Sequence, residues 1–371
     1  MTKKKVIIAG GGIAGMYTAI SLSQYGNYSI TIIDQKTDLS ATGFNTLGSF
    51  IEIEKYGFPE EVIASKIDTT VMHSSHFSHK ANGHAYILDK VKLHQYLQED
   101  LRKNRVSLKL GNKISDIHNE NGYIKALILE NKEKVAGDLF VDASGINSIL
   151  AKHMKLANNW DKKAYGIEYE IEYTGEQNKA IFFIGNYVKG GYGWLFPLKD
   201  NKAILGIGTF DKSKQKKLRE NVDRLLTHPS IKKYVKGKNQ HIQGGVIPVR
   251  EPETKFVLNN LVCVGDSVAQ VNPMVGEGYR FIIDSAEMAA AAIHKAMVTN
   301  NLECLHEYEE EWKSVYLQQY KLAYKLQQLI DKIGRYDALL DLGVLFLHTK
   351  RDSTVERLYA GNFTKRDLFL P

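Results

Sequence analysis

The sequence predicts an α/β fold in which a parallel-sheet domain is interrupted by a mostly antiparallel sheet and followed by helices. Three observations predict it. An apolar strand near the start of the chain runs into a glycine-rich turn and a helix. A central stretch alternates aromatic and polar residues between glycines. Helical periodicity then runs from Leu302 to near the end. With 371 residues the chain can bury two closely joined cores.

Residues 6–9 read as a short buried strand, residues 10–15 as a turn and residues 16–25 as a helix. Residues 29–34 follow as a strand parallel to the first, joined by the usual right-handed crossover. A β-hairpin carrying His73, His76, His79 and His84 precedes a helix over residues 92–104. Residues 107–110, 124–129 and 139–142 are strands that continue or flank this domain. From about Lys163 to Arg250, residues 165–173, 180–184, 194–197 and 203–210 read as an antiparallel sheet, with one helix around 217–226. The buried strand 261–264 and a long helix from about Glu277 to Val298 return to the first texture.

Composition narrows the function classes. Hydrophobic residues make up 43% and charged residues 25%, mixed throughout, which suits an ordinary globular protein. A net charge of +7 and a pI near 9.0 fit an acidic partner or an anionic membrane face. No basic stripe or reader motif points to nucleic acid. Cys263 and Cys304 are far apart, against a disulfide framework or a structural zinc site, so a reducing cytoplasm is expected. The apolar strand begins directly after Met1–Lys5, leaving no room for a signal peptide. No apolar run reaches the roughly 18 residues of a membrane span, so membrane contact is expected to be peripheral.

Three motifs carry the chemistry. Gly10-Gly11-Gly12-Ile13-Ala14-Gly15 fits G-x-G-x-x-G between a strand and a helix. Gly10 permits the tight turn, Gly12 lets amides approach a pyrophosphate, and Gly15 allows close helix–strand packing. The helix N-terminus adds partial positive charge. Asp34, with Gln35 after it, ends the second strand, where a carboxylate accepts ribose hydroxyls. Together they read as a Rossmann-like dinucleotide site, against the alternative of an ordinary βαβ turn. Gly265-Asp266 ends a later strand and is followed by Pro273 and Gly276-Glu277-Gly278 at a helix start. Asp266 can bind a polyol hydroxyl, and amides of 276–278 can face an anionic ring. Asp142-Ala143-Ser144-Gly145 ends a third strand.

In order and spacing these segments resemble the GxGxxG, DG and GD motifs of the flavoprotein superfamily typified by para-hydroxybenzoate hydroxylase. Gly191-Tyr192-Gly193-Trp194-Leu195-Phe196-Pro197 resembles the YxWxFP signature of geranylgeranyl reductases, and Ala203–Gly208 and Gly265–Ile283 also resemble theirs. The resemblance implies an FAD enzyme that saturates double bonds of prenyl lipids. It implies FAD contacts from Gly10, Gly12, Ile13, Ala14, Gly15, Asp34, Gln35, Lys90, Asp142, Gly145, Gly265, Asp266, Pro273, Gly276, Glu277 and Gly278. Two departures stand out. Asp89-Lys90 replaces the Asp-Arg pair that family members often carry, offering a point charge in place of a bidentate fork. Thr42-Gly43-Phe44-Asn45-Thr46 lacks the cysteine many members have.

Tyr192, Trp194 and Phe196 alternate along a strand, so their rings are expected to share one face and wall a substrate cavity. Tyr192 and Trp194 are the expected catalytic positions, and all three are expected to contact substrate. An isolated alkene resists hydride attack; protonation first gives a tertiary cation, which aromatic faces stabilise. No residue stands out as the proton donor. The four hairpin histidines lack the spacing of a zinc site, and no metal is expected. Tyr308, Trp312, Tyr316, Tyr320 and Tyr324 form a helical stripe that reads as interhelical packing or a tunnel wall. Residues 339–347, apolar apart from Asp341, fit a buried helix or a membrane-touching one.

The expected organisation is a discontinuous FAD-binding domain over residues 1–162 and 251–302, an antiparallel-sheet substrate domain over 163–250 and a helical region over 303–371. With no second nucleotide motif, NAD(P)H would bind transiently or an acidic electron-carrier protein would dock. The alternatives are an FAD-dependent monooxygenase on a small or aromatic substrate and a flavin halogenase, whose WxWxIP signature the segment only partly resembles. A non-redox flavin enzyme of the lycopene-cyclase kind and a membrane-associated flavin-binding module also remain.

Overall fold

The computed structural model describes residues 3–26, 28–156, 163–251 and 253–369. Met1, Thr2 and the domain boundary expected at residue 162 lie outside them. β1 (Lys5–Ala9), α1 (Ile13–Tyr25) and β2 (Ser29–Asp34) open the chain. The helix starts three residues earlier than expected because Gly12 serves as its N-cap, so Ile13-Ala14-Gly15 form its first turn. β3 (Thr46–Ser49) precedes the hairpin β4 (Ile63–His73) and β5 (Ser78–Asp89). α2 (Lys90–Lys103) begins where the Asp89 carboxylate accepts from the Lys92 amide at 3.0 Å. β6 (Ser107–Leu110) follows. Then come the meander β7 (Ile114–Glu120), β8 (Tyr123–Leu129) and β9 (Lys134–Ala136), β10 (Leu139–Asp142) and α3 (Ile149–His153).

The central stretch forms β11 (Lys163–Tyr173), β12 (Lys179–Gly185), β13 (Val188–Leu198) and β14 (Lys202–Thr209). After α4 (Leu218–Leu225) comes β15 (Val235–Pro248), a 14-residue strand that the sequence reading missed. Its polar, glycine-containing run lacks the apolar alternation that betrays a strand. β16 (Val257–Leu258), β17 (Leu261–Cys263) and α5 (Tyr279–Thr299) lead into α6 (His306–Ile333), α7 (Asp337–Leu347), α8 (Asp352–Tyr359) and α9 (Lys365–Phe369).

Among the described residues, one sheet runs β16-β17-β10-β1-β2-β6. Its pairs are parallel except β16 with β17, and Val6–Ala9 of β1 and all of β10 are buried. The other large sheet runs β15-β11-β14-β13-β12-β4-β5-β3 and is antiparallel apart from the β12–β4 pair. This is the α/β class the sequence predicts. The second sheet takes strands from residues 46–89 as well as from the central stretch, because β12 pairs with β4 along Lys179–Phe183 and Thr69–His73. One face of this sheet packs Tyr169, Ile171, Leu195, Leu205 and Ile207 against Leu218, Val222 and Leu225 of α4. The opposite face turns toward the ends of the parallel strands.

The aromatic stripe on α6 is packing. Tyr308, Trp312, Tyr316 and Tyr320 are buried against Phe256 and Phe281, with ring centroids 5.1–5.6 Å apart across the contacts. α7 divides: Leu340, Val344 and Leu347 are buried, while Leu339, Leu342, Leu345 and Phe346 are exposed. Asp341 caps the hairpin turn, accepting from Ser74 Oγ at 2.5 Å and from the His76 amide at 3.2 Å. The hairpin histidines part company. His73 stacks on Phe183, His76 bonds Asp341, His79 is buried against His348 and His84 is exposed. No helix among the described residues is long and apolar enough to cross a membrane.

Candidate functional site

The three strand-end motifs meet at the carboxyl edge of the parallel sheet. Ala9, Asp142 and Cys263 stand in one cross-strand row on β1, β10 and β17. The turn after each strand therefore emerges at the same place, where ligands of open α/β sheets bind. Gly10 has φ +105°, and a Cβ there would lie 2.3 Å from the Ala143 carbonyl. A Cβ on Gly15 would lie 1.9 Å from the Gly10 carbonyl, so α1 sits directly on the turn. Gly265, at φ +78°, packs against Ala14, joining the later motif to the first.

The space above Gly12 is open, with nothing within 4 Å of a Cβ placed there, and no side chain caps the start of α1. Amides facing open space at a helix N-terminus fit the phosphates of a dinucleotide, which is the fit FAD requires. Asp34 accepts from the Gly11 amide at 2.7 Å and the Lys36 amide at 2.8 Å. That holds its carboxylate at the end of β2, with Gln35 beside it. Gly145 also has open space around it. Asp142 behaves differently: it is fully buried, and its carboxylate accepts from Ser144 N, Ser144 Oγ and Ala151 N. Those bonds hold its own turn in shape.

The loop from Pro273 to Gly278 lies between the sheets. The Gly276 amide is spent on the Asn272 carbonyl at 2.9 Å, and Glu277 turns inward to Ser49 Oγ and, at 3.8 Å, Arg280. Gly278 is the N-cap of α5 without a side-chain cap, so the helix start keeps its orphan donors. Lys90 opens α2, with Nζ 5.3 Å from the Tyr279 ring centre. Burial pulls its pKa down to about 8, with the charges of Glu168 and Asp266 opposing. Asp266 is pushed up to about 6 by desolvation, against the pull of Lys90. Lys90 and Asp266 thus act on each other electrostatically.

Tyr192, Trp194 and Phe196 share a face, with neighbouring ring centres 5.6 and 6.3 Å apart. All three are half-buried, whereas Gly193, Leu195 and Pro197 between them are buried on the α4 side. Tyr192 Oη donates to the Val275 carbonyl at 2.8 Å, tying the aromatic strand to the loop before α5. Phe196 lies on Gly48, and Phe182 and Tyr359 extend the wall. The floor is glycine: a Cβ on Gly206 would lie 2.2 Å from the Trp194 ring, and one on Gly245 would lie 2.5 Å from Phe44.

Sequence reasoning missed Glu168, a buried carboxylate on the same face of β11. The segment alternates Ile167, Tyr169, Ile171 and Tyr173 with Glu168, Glu170 and Glu172, which reads as a strand with a solvent face. It also missed His94 and Tyr279, whose Nε2 and Oη lie 2.8 Å apart beneath Lys90. No pattern in the sequence marks either.

A family model described as tryptophan halogenase matches residues 37–324, and one described as an NAD(P)-binding Rossmann-like domain matches residues 8–48. Among curated proteins, the digeranylgeranylglycerophospholipid reductase of Haloferax volcanii is 23% identical over 363 residues, covering 91% of this chain and 88% of that protein. Its Sulfolobus acidocaldarius namesake is 27% identical over 328 residues, covering 81% and 71%. A geranylgeranyl bacteriochlorophyll reductase-like protein from Thermoplasma acidophilum has the same fold, with a TM-score of 0.84 at 19% identity over 94% of this chain and 93% of that one. A flavin-dependent brominase gives a TM-score of 0.72 at 14% identity, covering 97% and 94%. The resemblance to geranylgeranyl reductases read from the sequence is borne out by these relatives.

Proposed function

The chain belongs to the family whose model is described as tryptophan halogenase, and on that premise we propose that it is an FAD-dependent reductase saturating carbon–carbon double bonds of a lipid-linked isoprenoid chain. The observation that carries this reading is the row Tyr192-Trp194-Phe196, half-buried on a glycine floor and tied through Tyr192 to the loop before α5. Curated relatives that match most of this chain are named as reductases. Tyr192 also stands where the halogenase signature has its first tryptophan.

FAD, when bound, supplies a hydride. The chain's own residues do the rest. Gly10, Gly12, Ile13, Ala14 and Gly15 would receive the pyrophosphate on backbone amides, Asp34 and Gln35 the ribose, and Gly265 and Asp266 the ribitol. Lys90, Gly145 and the Pro273–Gly278 loop, with Gly276 and Gly278, would border the ring system. Asp142 and Glu277 act from beneath, holding the turns that present those groups. Trp194 would lie under the reacting double bond, and the rings would exclude water. The reductant is NAD(P)H binding transiently or an acidic electron-carrier protein drawn by the net positive charge. A peripheral contact of α7 with a membrane would deliver the lipid.

The test is anaerobic incubation of photoreduced holoenzyme with a geranylgeranylated lipid, followed by mass spectrometry. A gain of two hydrogens per bond, with reoxidation of the flavin, is expected. Reoxidation by oxygen only in the presence of a small aromatic substrate would instead assign a monooxygenase, the second function this fold accommodates.

A further inference from the structure

Saturating an alkene takes a proton as well as a hydride. β11, β14 and β13 bring Glu168, Gly206 and Trp194 into one cross-strand row. Because Gly206 has no side chain, the Trp194 indole lies across it, and its Nε1 donates to Glu168 Oε2 at 3.3 Å. Thr46 Oγ1 on β3 donates to the other oxygen at 3.5 Å. Both bonds are long for a carboxylate, and Glu168 is only 3% exposed. An ionised carboxylate so placed is poorly compensated.

The groups that act on Glu168 are Thr46 on β3, Trp194 on β13 and the ammonium of Lys90 at the start of α2. Lys90 itself is under the influence of Lys36 and Asp266. Desolvation outweighs all three partners and pushes the Glu168 pKa up to about 7. A carboxyl group in that range can both give and recover a proton at neutral pH.

We propose that Glu168 is the catalytic acid that protonates the substrate alkene beside Trp194, a role that rests on the reductase reading. The Glu168 O–H bond breaks and a C–H bond forms at the less substituted alkene carbon, using the π electron pair. The tertiary cation, held over the Trp194 face, would take up the hydride that reduced FAD supplies when bound, FAD being the species oxidised. The Glu168 carboxylate then recovers a proton from water, and the outside reductant restores the flavin. The sequence of steps consumes one hydride and one proton per double bond.

Glu168→Gln keeps the size and the acceptor for Trp194 but removes the acid. FAD uptake should match wild type, while alkene reduction should fall by roughly 10²–10⁴-fold. Wild-type rate should decline as pH rises through about 7, where the acid form is lost, and the decline should be absent from the residual rate of Glu168→Gln. Glu168→Asp should recover part of the rate together with the alkaline decline. A readout without turnover is the infrared carboxyl band of FAD-free protein. A protonated band should be present in mildly acidic buffer, fade in mildly alkaline buffer and be missing from Glu168→Gln.

Glu168→Gln that takes up FAD and reduces the alkene at wild-type rate overturns the role of Glu168 alone. So does an infrared spectrum in which no protonated band depends on Glu168. Wild-type holoenzyme that saturates no prenyl chain, with the band in place, overturns the reductase reading and removes the role with it.

Discussion

At the scale of single residues, the site depends on atoms that are missing. Gly12 leaves open space at the start of α1, and Gly206 leaves room for the Trp194 ring. The opening at Gly12 can be tested by mutation. Gly12→Glu would place a negative charge where a pyrophosphate is expected. Two like charges about 4 Å apart at an intermediate dielectric repel by about 4 kcal/mol, so FAD affinity should fall by roughly a thousandfold. The Cβ itself meets nothing within 4 Å, so the fold should survive. Flavin absorbance and circular dichroism of the purified variant check both statements. A yellow Gly12→Glu protein of normal affinity would remove the phosphate assignment from this turn.

At the scale of elements, helix α6 reaches the turn of Gly265-Asp266 through a short relay. Tyr308 Oη donates to the Cys263 carbonyl at 3.1 Å and accepts from Gln270 Nε2 at 2.6 Å, while Gln270 Oε1 accepts from the Gly265 amide at 2.7 Å. The turn that carries Asp266 is therefore braced by a helix whose sequence reads as plain packing. Tyr308→Phe keeps the ring against Phe256 but leaves Gln270 and Cys263 without their partner. An unsatisfied buried donor costs about 1–3 kcal/mol. Part of that should appear as a roughly tenfold weaker FAD affinity and the rest as a lower Tm. Fluorescence titration with FAD and thermal unfolding measure the two. If Tm falls while FAD affinity does not move, the relay braces the fold alone.

At the scale of the whole molecule, α7 and the end of α6 present an apolar corner. Leu329, Tyr336, Leu339, Leu342, Leu345 and Phe346 are all exposed, between 37% and 60%. Lys332 and Arg335 are flanked by Asp331 and Asp337, so the apolar side chains would carry contact with a bilayer. Leu342→Glu with Leu345→Glu should weaken sedimentation with anionic phospholipid vesicles by roughly tenfold per leucine. Turnover of a short soluble prenyl substrate should be unchanged. Equal vesicle binding by wild type and variant would assign the corner another role. The strand ends and turns at residues 10–15, 34, 142–145 and 265–266 were legible without coordinates, because each motif is local. A strand end, a turn needing positive φ and a helix start dictate their own backbone within a few residues. The shared face of Tyr192, Trp194 and Phe196 was legible for the same reason, since alternation along one strand needs no partner. What only the tertiary structure decided is which strand lies beside which, and so the fate of Glu168. Its neighbours Trp194 and Thr46 are 26 and 122 residues away in sequence. Alternation marks Glu168 for solvent, and only the approach of β3, β13 and the start of α2 to that face of β11 gives a glutamate the desolvated surroundings of an acid.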